Sequence, residues 1–346
     1  MKSFIGKASF AISIIKSKVF RQVIPLQVQL TVTDHCNLRC NYCYADYPTR
    51  GHKDLSVEEI FKIIDDLKKL GTRRINLVGG EPLSRSDIGD IINYITKKNI
   101  QCALTTNGYL VPAKLEYLKK LNVLCISLDG EKIENDANRG EGSFEKAFNA
   151  VMIAKEHGIP VQVACVITKK NLYSIEWLLQ KGKEFGFQVG FSTLIRKTVD
   201  GNKETAPDIP SDDEYRKIIK RIIELKEDGY PVLFSKKNLK YALNWEFGYD
   251  TDKIIGEEPN FDYIKCNAGK NFGIIDVNGD VYPCPTLVDT GKPLNGLKDG
   301  MAKAFENASG HDCKTCHIPC QNEFNLMYSL DLGTIFNIIR NYKFKG

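Results

Sequence analysis

Short apolar runs alternate with amphipathic stretches between about residue 26 and residue 235. Runs with the length of buried strands lie at 28–32, 75–78, 102–105, 124–128, 161–167 and 189–194. Stretches with helical spacing lie between and after them, at 56–70, 87–98, 113–120, 143–157, 174–185 and 212–227. Strands that alternate with helices favour parallel pairing through helical crossovers. The pattern therefore predicts an α/β fold, a partial (β/α)6 TIM-like barrel with its functional residues at the carboxyl ends of the strands.

The alternation ends at about residue 236, where Gly, Pro, Asn and Cys become frequent. This composition is typical of a loop-rich module whose small core needs additional support. We therefore predict four parts: a basic amphipathic helix over 1–25, the barrel over 26–235, the loop-rich module over 236–325 and a helical tail over 326–346.

Composition argues against an intrinsically disordered chain, and charge argues against a nucleic-acid-binding protein. With 42% hydrophobic and 26% charged residues, the chain can build a sizeable core and is not intrinsically disordered. The net charge of +5 equals the charge of residues 1–33, which hold five basic residues and no acidic one. The remainder is neutral, so no nucleic acid is expected as a partner, because nucleic-acid-binding proteins present a basic face.

Eight of the eleven cysteines fall into two clusters with short spacings. The first cluster is Cys36, Cys40 and Cys43, and the second is Cys266, Cys284, Cys313, Cys316 and Cys320. The odd total, the dilution over 346 residues and the lack of a signal-peptide cleavage site favour metal ligands in a reducing compartment over disulfides. We therefore expect a cytoplasmic protein that binds metal through its cysteines.

The first cluster follows the first predicted strand, with spacings of three and two residues between its cysteines. Three thiolates can bind three corners of a cubane iron–sulfur cluster and leave the fourth iron open. A zinc knuckle is the alternative, although it lacks an evident fourth ligand. This CxxxCxxC motif after the first strand of a βα barrel resembles the radical S-adenosylmethionine (radical SAM) superfamily.

Other segments resemble the same superfamily, in register with the cysteine motif. The resemblance implies that the following residues bind the cofactor: Tyr42, Gly79, Gly80, Glu81, Pro82, Asn107, Ser127, Asp129 and Arg139. Glu81 would pair with the ammonium of the methionine moiety and Arg139 with its carboxylate. Tyr42 would pack near the adenine, and the residues after the third and fourth strands would line the ribose.

The resemblance also implies the cofactors and the reaction. It implies a [4Fe-4S] cluster that binds S-adenosylmethionine (SAM) and a reductant such as flavodoxin or ferredoxin. One electron from the reduced cluster would cleave SAM to a 5′-deoxyadenosyl radical, which abstracts hydrogen from the substrate.

The second cluster begins on either side of a predicted hairpin turn at Asn278 and Gly279, and it ends with a CxxCxxxC segment. Its thiolates suffice for a further cluster, and a tetrathiolate zinc site is the alternative. The pattern resembles the auxiliary modules called SPASM, or twitch in the shortened form, although its ending departs from the full SPASM pattern. The resemblance implies one auxiliary [4Fe-4S] cluster that assists electron transfer. Its expected ligands are Cys266, Cys284, Cys313 and Cys316, with Cys320 as a spare or substitute ligand.

The sequence does not select a catalytic side chain. Cys165 lies inside an apolar strand pattern, where a buried small hydrophobe is the default. By resemblance to some epimerases of the superfamily, it is also a candidate hydrogen donor to a substrate radical.

Both termini combine apolar and basic residues. Residues 3–20 have an apolar face flanked by lysines, which predicts a helix that either docks on the barrel or lies on an anionic membrane surface. The C-terminal stretch repeats this character at Arg340, Lys343 and Lys345. These ends favour a lipid-linked substrate and peripheral contact at the inner membrane face.

We therefore predict a radical SAM enzyme that acts on a small-molecule, sugar-like or lipid-linked substrate. The first alternative is a maturase that modifies a ribosomally synthesised peptide. The second is a non-enzymatic iron–sulfur carrier of electrons or clusters. No peptide-recognition domain is evident before the barrel, which favours the small-molecule substrate over the peptide.

Overall fold

A computed structural model describes residue 17 and residues 22–195, 208–288 and 290–341. Most of the predicted helix over 1–25 lies outside these described residues. Ser17 is buried, and its hydroxyl oxygen accepts a hydrogen bond from Nδ2 of Asn271 at 2.6 Å.

The strands form one large sheet and one small one. In chain order they are β1 (Gln27–Thr31), β2 (Arg74–Val78), β3 (Gln101–Thr106), β4 (Val123–Ser127), β5 (Val161–Ile167), β6 (Gln188–Thr193), β7 (Lys253–Ile255), β8 (Phe272–Ile275), β9 (Asp280–Tyr282), β10 (Leu294–Asn295) and β11 (Cys313–Cys316). In the large sheet, β1 to β6 pair in parallel and in chain order. This arrangement confirms the predicted α/β partial barrel, with β6 at one edge of the sheet.

The loop-rich module adds three strands to this same sheet. β8 pairs in parallel with β1, from Gln27 opposite Phe272 to Leu30 opposite Ile275. β9 returns antiparallel to β8 after the turn at Asn278 and Gly279, and β10 forms the other edge. The module therefore continues the barrel sheet beside the strand that leads into the first cysteine cluster.

Twelve helices of the described residues surround and follow the sheet. They are α1 (Tyr47–Arg50), α2 (Val57–Leu70), α3 (Ile88–Lys97), α4 (Val111–Leu118), α5 (Lys132–Arg139), α6 (Ser143–Glu156), α7 (Ile175–Phe185), α8 (Asp212–Glu227), α9 (Lys236–Leu243), α10 (Met301–Ser309), α11 (Pro319–Tyr328) and α12 (Leu332–Asn341). No helix in this described part is long and apolar enough to cross a membrane.

Local sequence explains where these helices begin and which face they bury. At the start of α2, the Ser56 hydroxyl accepts from the Glu59 amide while the Glu59 carboxylate accepts from the Ser56 amide, and Gly71 ends the helix in a left-handed conformation. Ile60 and Leu67 on its inner face are buried in the core. This packing fixes the strands so that their carboxyl ends, and the loops after them, lie at one end of the barrel.

Candidate functional site

The segment after β2 packs directly against the start of the first cysteine loop. The amide of Gly80 donates to the carbonyl of Thr33 at 2.9 Å, and the amide of Glu81 donates to the carbonyl of His35 at 2.8 Å. A Cβ added to Gly80 would lie 2.3 Å from the His35 oxygen, and one on Gly79 would lie 2.4 Å from the Thr33 oxygen. These glycines therefore permit a close approach to the backbone that leads into the cysteine loop, in addition to the expected approach to a ligand.

Glu81 connects the ends of two strands with the cysteine loop. Its buried carboxylate accepts from the Thr106 hydroxyl at 2.8 Å and from the amides of Leu83 at 2.9 Å and Asn107 at 2.8 Å. The side chain of Asn107 donates in turn from Nδ2 to Asn37 Oδ1 at 2.8 Å. Burial raises the pKa of Glu81, and these hydrogen bonds oppose that rise. Glu81 is thus held in place, and its charge acts on the nearby thiol of Cys36.

Pro82 and Ser127 take less prominent positions. Pro82 is buried and begins a short 3₁₀ turn, Pro82–Ser84, after Glu81. Ser127 is half-buried and is the last residue of β4. Their expected contacts with the cofactor stay predictions.

Asp129, Arg139 and Tyr42 form a buried group beside the cysteine loop. Arg139 donates from Nε and Nη2 to the Asp129 carboxylate at 2.8 and 3.0 Å. The Tyr42 hydroxyl donates to the same carboxylate, and the Tyr42 ring centroid lies 5.5 Å from the guanidinium carbon. The amide of Val166 completes the set at 3.0 Å. Arg139 therefore already faces a carboxylate of this chain, and the expected SAM contacts of all three residues stay predictions.

The first cysteine loop is anchored to α5. The amide and the side chain of Asn41 donate to the carbonyls of Asn138 and Ala137 at 3.1 and 2.8 Å. This contact places Cys40 where burial raises the pKa of its thiol and the positive charge of Arg139 opposes the rise.

The donor set of the first cluster suits an iron–sulfur cluster. All eleven cysteines lie in the described residues, and none of them forms a disulfide. Burial raises the pKa of Cys36 to about 11, and its thiolate is a soft donor of the kind that iron–sulfur clusters use. In the described residues, no three His, Cys, Asp or Glu side chains are arranged around a single metal ion. Three cysteines on one loop suit three corners of a cubane cluster.

The second cysteine cluster gathers between the sheet and α11. The Cys266 and Cys313 side chains hydrogen-bond to each other, and this contact lowers the pKa of Cys313. Cys284 is buried, which raises its pKa to about 12, and its sulfur lies 3.4 Å from the Thr286 hydroxyl. Buried Cys316 interacts electrostatically with both Cys284 and Cys313. The four expected ligands are therefore neighbours in space, and soft thiolates are the donors that iron–sulfur clusters use.

Cys320 differs from the other four because it also faces the barrel. It lies in the first turn of α11, and its thiol hydrogen-bonds to the Ser192 side chain on β6. A cavity of about 950 Å³ opens on another side of the module, beside Cys313, and extends to Ile195 at the end of β6. The module therefore lines nearly all of this cavity, and the barrel contributes Ile195, two residues after β6.

Cys165 contacts the backbone of Asp129. It is fully buried on β5, its sulfur is 3.6 Å from the Asp129 carbonyl oxygen, and Asn171 Nδ2 donates to that sulfur at 3.6 Å. Burial raises the pKa of the Cys165 thiol, so it holds its proton. Its role as a hydrogen donor stays a prediction.

A buried charge network, which the sequence analysis did not predict, joins the two cysteine modules. Arg50, at the end of α1, donates to the carboxylate of Asp276, with one contact at 3.3 Å. Arg50 also lies 3.8 Å from Asp34, whose carboxylate accepts a hydrogen bond from Nδ1 of the His52 ring at 2.9 Å. Asp276 directly follows β8, so the parallel pairing of β8 with β1 brings it to Asp34. Asp34, two residues before Cys36, was the one sign of this network in the local sequence.

With this geometry established, comparison with known proteins identifies the class. A family model described as the radical SAM superfamily matches residues 30–180. An uncharacterized protein of Methanocaldococcus jannaschii, MJ0907, is 31% identical over 75% of this chain and 84% of its own length. The chain belongs to the radical SAM superfamily and is an enzyme. Its cofactors are SAM and the [4Fe-4S] cluster that binds SAM.

Three further relatives are similar to this chain over most of its length. Mycofactocin maturase MftC of Mycolicibacterium smegmatis is 28% identical over 83% of this chain and 70% of its own length. The antilisterial bacteriocin subtilosin biosynthesis protein AlbA of Bacillus subtilis is 32% identical over 83% of this chain, which spans 61% of AlbA. An AdoMet-dependent heme synthase of Methanosarcina barkeri is 29% identical over 76% of this chain and 77% of its own length.

A solved structure shares the fold across both modules. Streptococcus suis SuiB bound to S-adenosylmethionine superposes with a TM-score of 0.67 at 17% identity, over 86% of this chain and 70% of SuiB. This likeness agrees with the partial barrel and the C-terminal module described above.

Proposed function

We propose that this enzyme is a radical SAM maturase that modifies a peptide. The observation that carries the proposal is its similarity to MftC and AlbA over 83% of the chain, a span longer than the barrel alone. This evidence favours the peptide substrate, which the sequence placed second, over the sugar-like or lipid-linked substrate. SuiB, whose fold is similar, is also known in a complex with its precursor peptide SuiA.

In this proposal Cys36, Cys40 and Cys43 hold the cluster that binds SAM. When bound, the cluster and SAM supply a radical that abstracts hydrogen from an unactivated C–H bond. Glu81 acts electrostatically on Cys36 and Arg139 on Cys40, so charges of opposite sign lie on two sides of the cysteine loop. In this proposal Glu81 would pair with the ammonium of the methionine moiety, and Arg139, which is already paired with Asp129, would extend that ion pair to its carboxylate.

The auxiliary cluster is assigned to Cys266, Cys284, Cys313 and Cys316. The contact between Cys266 and Cys313, and the charge interactions of Cys316 with Cys284 and Cys313, support this set. Cys320 stays the substitute ligand of the prediction; its thiol interacts electrostatically with Cys284 and Cys316 and hydrogen-bonds to Ser192 of the barrel.

The first experiment tests the assignment of the radical site. The anaerobically reconstituted enzyme, reduced with dithionite and supplied with SAM, should release 5′-deoxyadenosine. Cys40→Ala should abolish this product, whereas the matched control Cys102→Ala, at a buried position within β3, should retain it. Equal product from Cys40→Ala and the unsubstituted enzyme would disprove the assignment.

The second experiment tests the substrate class. The enzyme is incubated with SAM, dithionite and each short peptide encoded beside its gene, and in parallel with iron-coproporphyrin III. A mass change in a peptide that depends on Cys40 supports the maturase. A change in the porphyrin alone, or in none of the probes, rejects it, and the porphyrin result would match the similarity to the heme synthase.

A further inference from the structure

The last described helix, α12, carries apolar side chains on its outer face as well as on its inner face, where Ile338 is buried. The exposed fractions of Leu332, Phe336 and Ile339 are 79%, 68% and 46%. Their spacing of four and three residues places them on one face of the helix. We call these three residues the α12 stripe. A soluble helix usually buries such a face, so this orientation requires a cause.

The opposite face of α12 is held to the protein by polar side chains. The Thr334 hydroxyl donates to Ser235 Oγ at 3.1 Å and is fully buried. Asn337 Nδ2 donates to the Leu233 carbonyl at 2.8 Å and to the buried Glu323 carboxylate at 2.9 Å. These bonds fix the rotation of the helix, because turning the stripe inward would leave buried polar groups without partners. The outward stripe is therefore built into the fold.

The surroundings of the stripe are basic. α12 lies against α9, and together the described residues 236–243 and 330–341 contain four basic residues and one acidic residue. That acidic residue, Asp331, is paired with Lys237 at 2.6 Å. Lys236, Lys240 and Arg340 are exposed on the same pair of helices, and Lys236 is paired with Glu227 at 3.1 Å. The sequence continues after α12 with aromatic and basic residues in alternation, from Tyr342 to Lys345.

We propose that the α12 stripe docks this enzyme on an anionic lipid surface. Exposed Leu, Phe and Ile side chains enter the boundary between headgroups and acyl chains, and lysines and arginines beside them attract anionic lipids. Aromatic residues are favoured at the same boundary. A second copy of the chain would bring a second basic surface into contact, which charge repulsion disfavours. The docking surface is independent of the substrate that the enzyme modifies.

Flotation with large unilamellar vesicles tests this proposal. The full-length holoenzyme should float with vesicles that contain phosphatidylglycerol and remain unbound with pure phosphatidylcholine vesicles. The triple variant L332Q/F336Q/I339Q should bind phosphatidylglycerol vesicles about tenfold or more weakly, because three apolar insertions are lost. The control I133Q/Y173Q removes apolar side chains that are 81% and 93% exposed elsewhere, and it should bind like the unsubstituted enzyme.

Each other result overturns the proposal. Failure of the unsubstituted enzyme to float would do so. So would equal flotation of the triple variant, which would assign binding to another segment such as residues 1–25. A dimer in light scattering that the triple variant abolishes, without vesicle binding, would identify a second copy as the occupant, and binding to an acidic protein alone would identify that partner instead. If the triple variant unfolds, the single variant Phe336→Glu repeats the test. Its melting temperature is first shown to equal that of the unsubstituted enzyme.

Discussion

The buried pair of Asp129 and Arg139 contributes to stability through charge compensation. Asp129 is fully buried, and removal of its charge leaves the Arg139 guanidinium without a counter-ion in a site of low dielectric. We expect Asp129→Asn to lower the free energy of unfolding by about 3–5 kcal/mol. Urea titration followed by circular dichroism measures this change.

A surface pair provides the control for that substitution. Lys132 and Glu145 lie 2.6 Å apart, but their side chains are 60% and 65% exposed. Glu145→Gln should therefore change the free energy of unfolding by about 1 kcal/mol or less. If Asp129→Asn costs no more than Glu145→Gln, the buried pair is not a structural element of the site.

Gly80 shows how one missing methyl group positions the cysteine loop. Its backbone does not need a left-handed conformation, so contact alone requires the glycine: an added Cβ would lie 2.3 Å from the His35 oxygen. We expect Gly80→Ala to displace the segment before Cys36 and to reduce the iron bound after anaerobic reconstitution. At Gly310 the nearest atom to an added Cβ is at 3.4 Å, so Gly310→Ala should retain its iron. Full iron content in Gly80→Ala would contradict the proposed positioning.

At the scale of elements, Lys226 couples the end of α8 to α12. Its ammonium donates to the Val232 carbonyl at 2.8 Å and to Asn337 Oδ1 at 3.2 Å. Burial lowers the pKa of Lys226 to about 8 from an ordinary value of 10.5, with Arg340 and Lys236 acting in the same direction and Glu323 opposing. Between these two values the unfolded chain binds more protons, so the contribution of Lys226 to stability rises with pH.

This linkage predicts a pH-dependent difference between variants. As the pH rises from 7.5 to 10.5, the stability of the unsubstituted protein should increase relative to Lys226→Met, by up to about 3 kcal/mol. Denaturation curves at several pH values measure the difference. Lys220→Met, at an exposed position of the same helix, should show a flat difference. A flat difference for Lys226→Met as well would disprove the linkage.

Element by element, the barrel was predictable because each strand is a short, mostly apolar run between amphipathic helical stretches. The observed bounds of β1 to β6 lie within a residue or two of the predicted ones. Helix α5 was missed, because the residues that it buries, such as Asn135 and Asn138, are polar. The helices α9 to α11 were also not predicted individually, since short apolar segments among Gly, Pro and Asn give weak periodicity, whereas α12 lies within the predicted helical tail over 326–346.

The candidate functional site could likewise be predicted from the sequence only in part. Motifs with fixed spacing identified the cysteines and the Gly79–Gly80–Glu81 segment, because their chemistry depends on local sequence. Partners distant in the chain left no local signal, so the pairing of Arg139 with Asp129 and that of Arg50 with Asp276 emerged only from the fold.

At the scale of the whole molecule, the sheet is the physical connection between the two cysteine modules. Because β8 lies beside β1, the segment before Cys36 and the hairpin before Cys284 start from neighbouring strands. Arg50 lies between Asp34 of the barrel and Asp276 of the second module and is paired with both carboxylates. The side chains of all three residues are buried. Burial raises the pKa of Asp34, and Arg50 is the main group that opposes the rise.

Replacement of Arg50 should therefore loosen both modules together. In Arg50→Met, Asp34 and Asp276 lose their shared cation, and a buried carboxylate without a partner costs about 3–5 kcal/mol. We expect amide hydrogen exchange to accelerate both in 33–46 and in 272–276, with a smaller effect in Arg50→Lys, which keeps the charge but loses the two-pronged contact. Arg221→Met removes a cation from an exposed pair with Glu176, 42% and 41% exposed, and should leave both segments protected. Acceleration confined to one segment would mean that the modules are stabilised separately, and that Arg50 does not couple them.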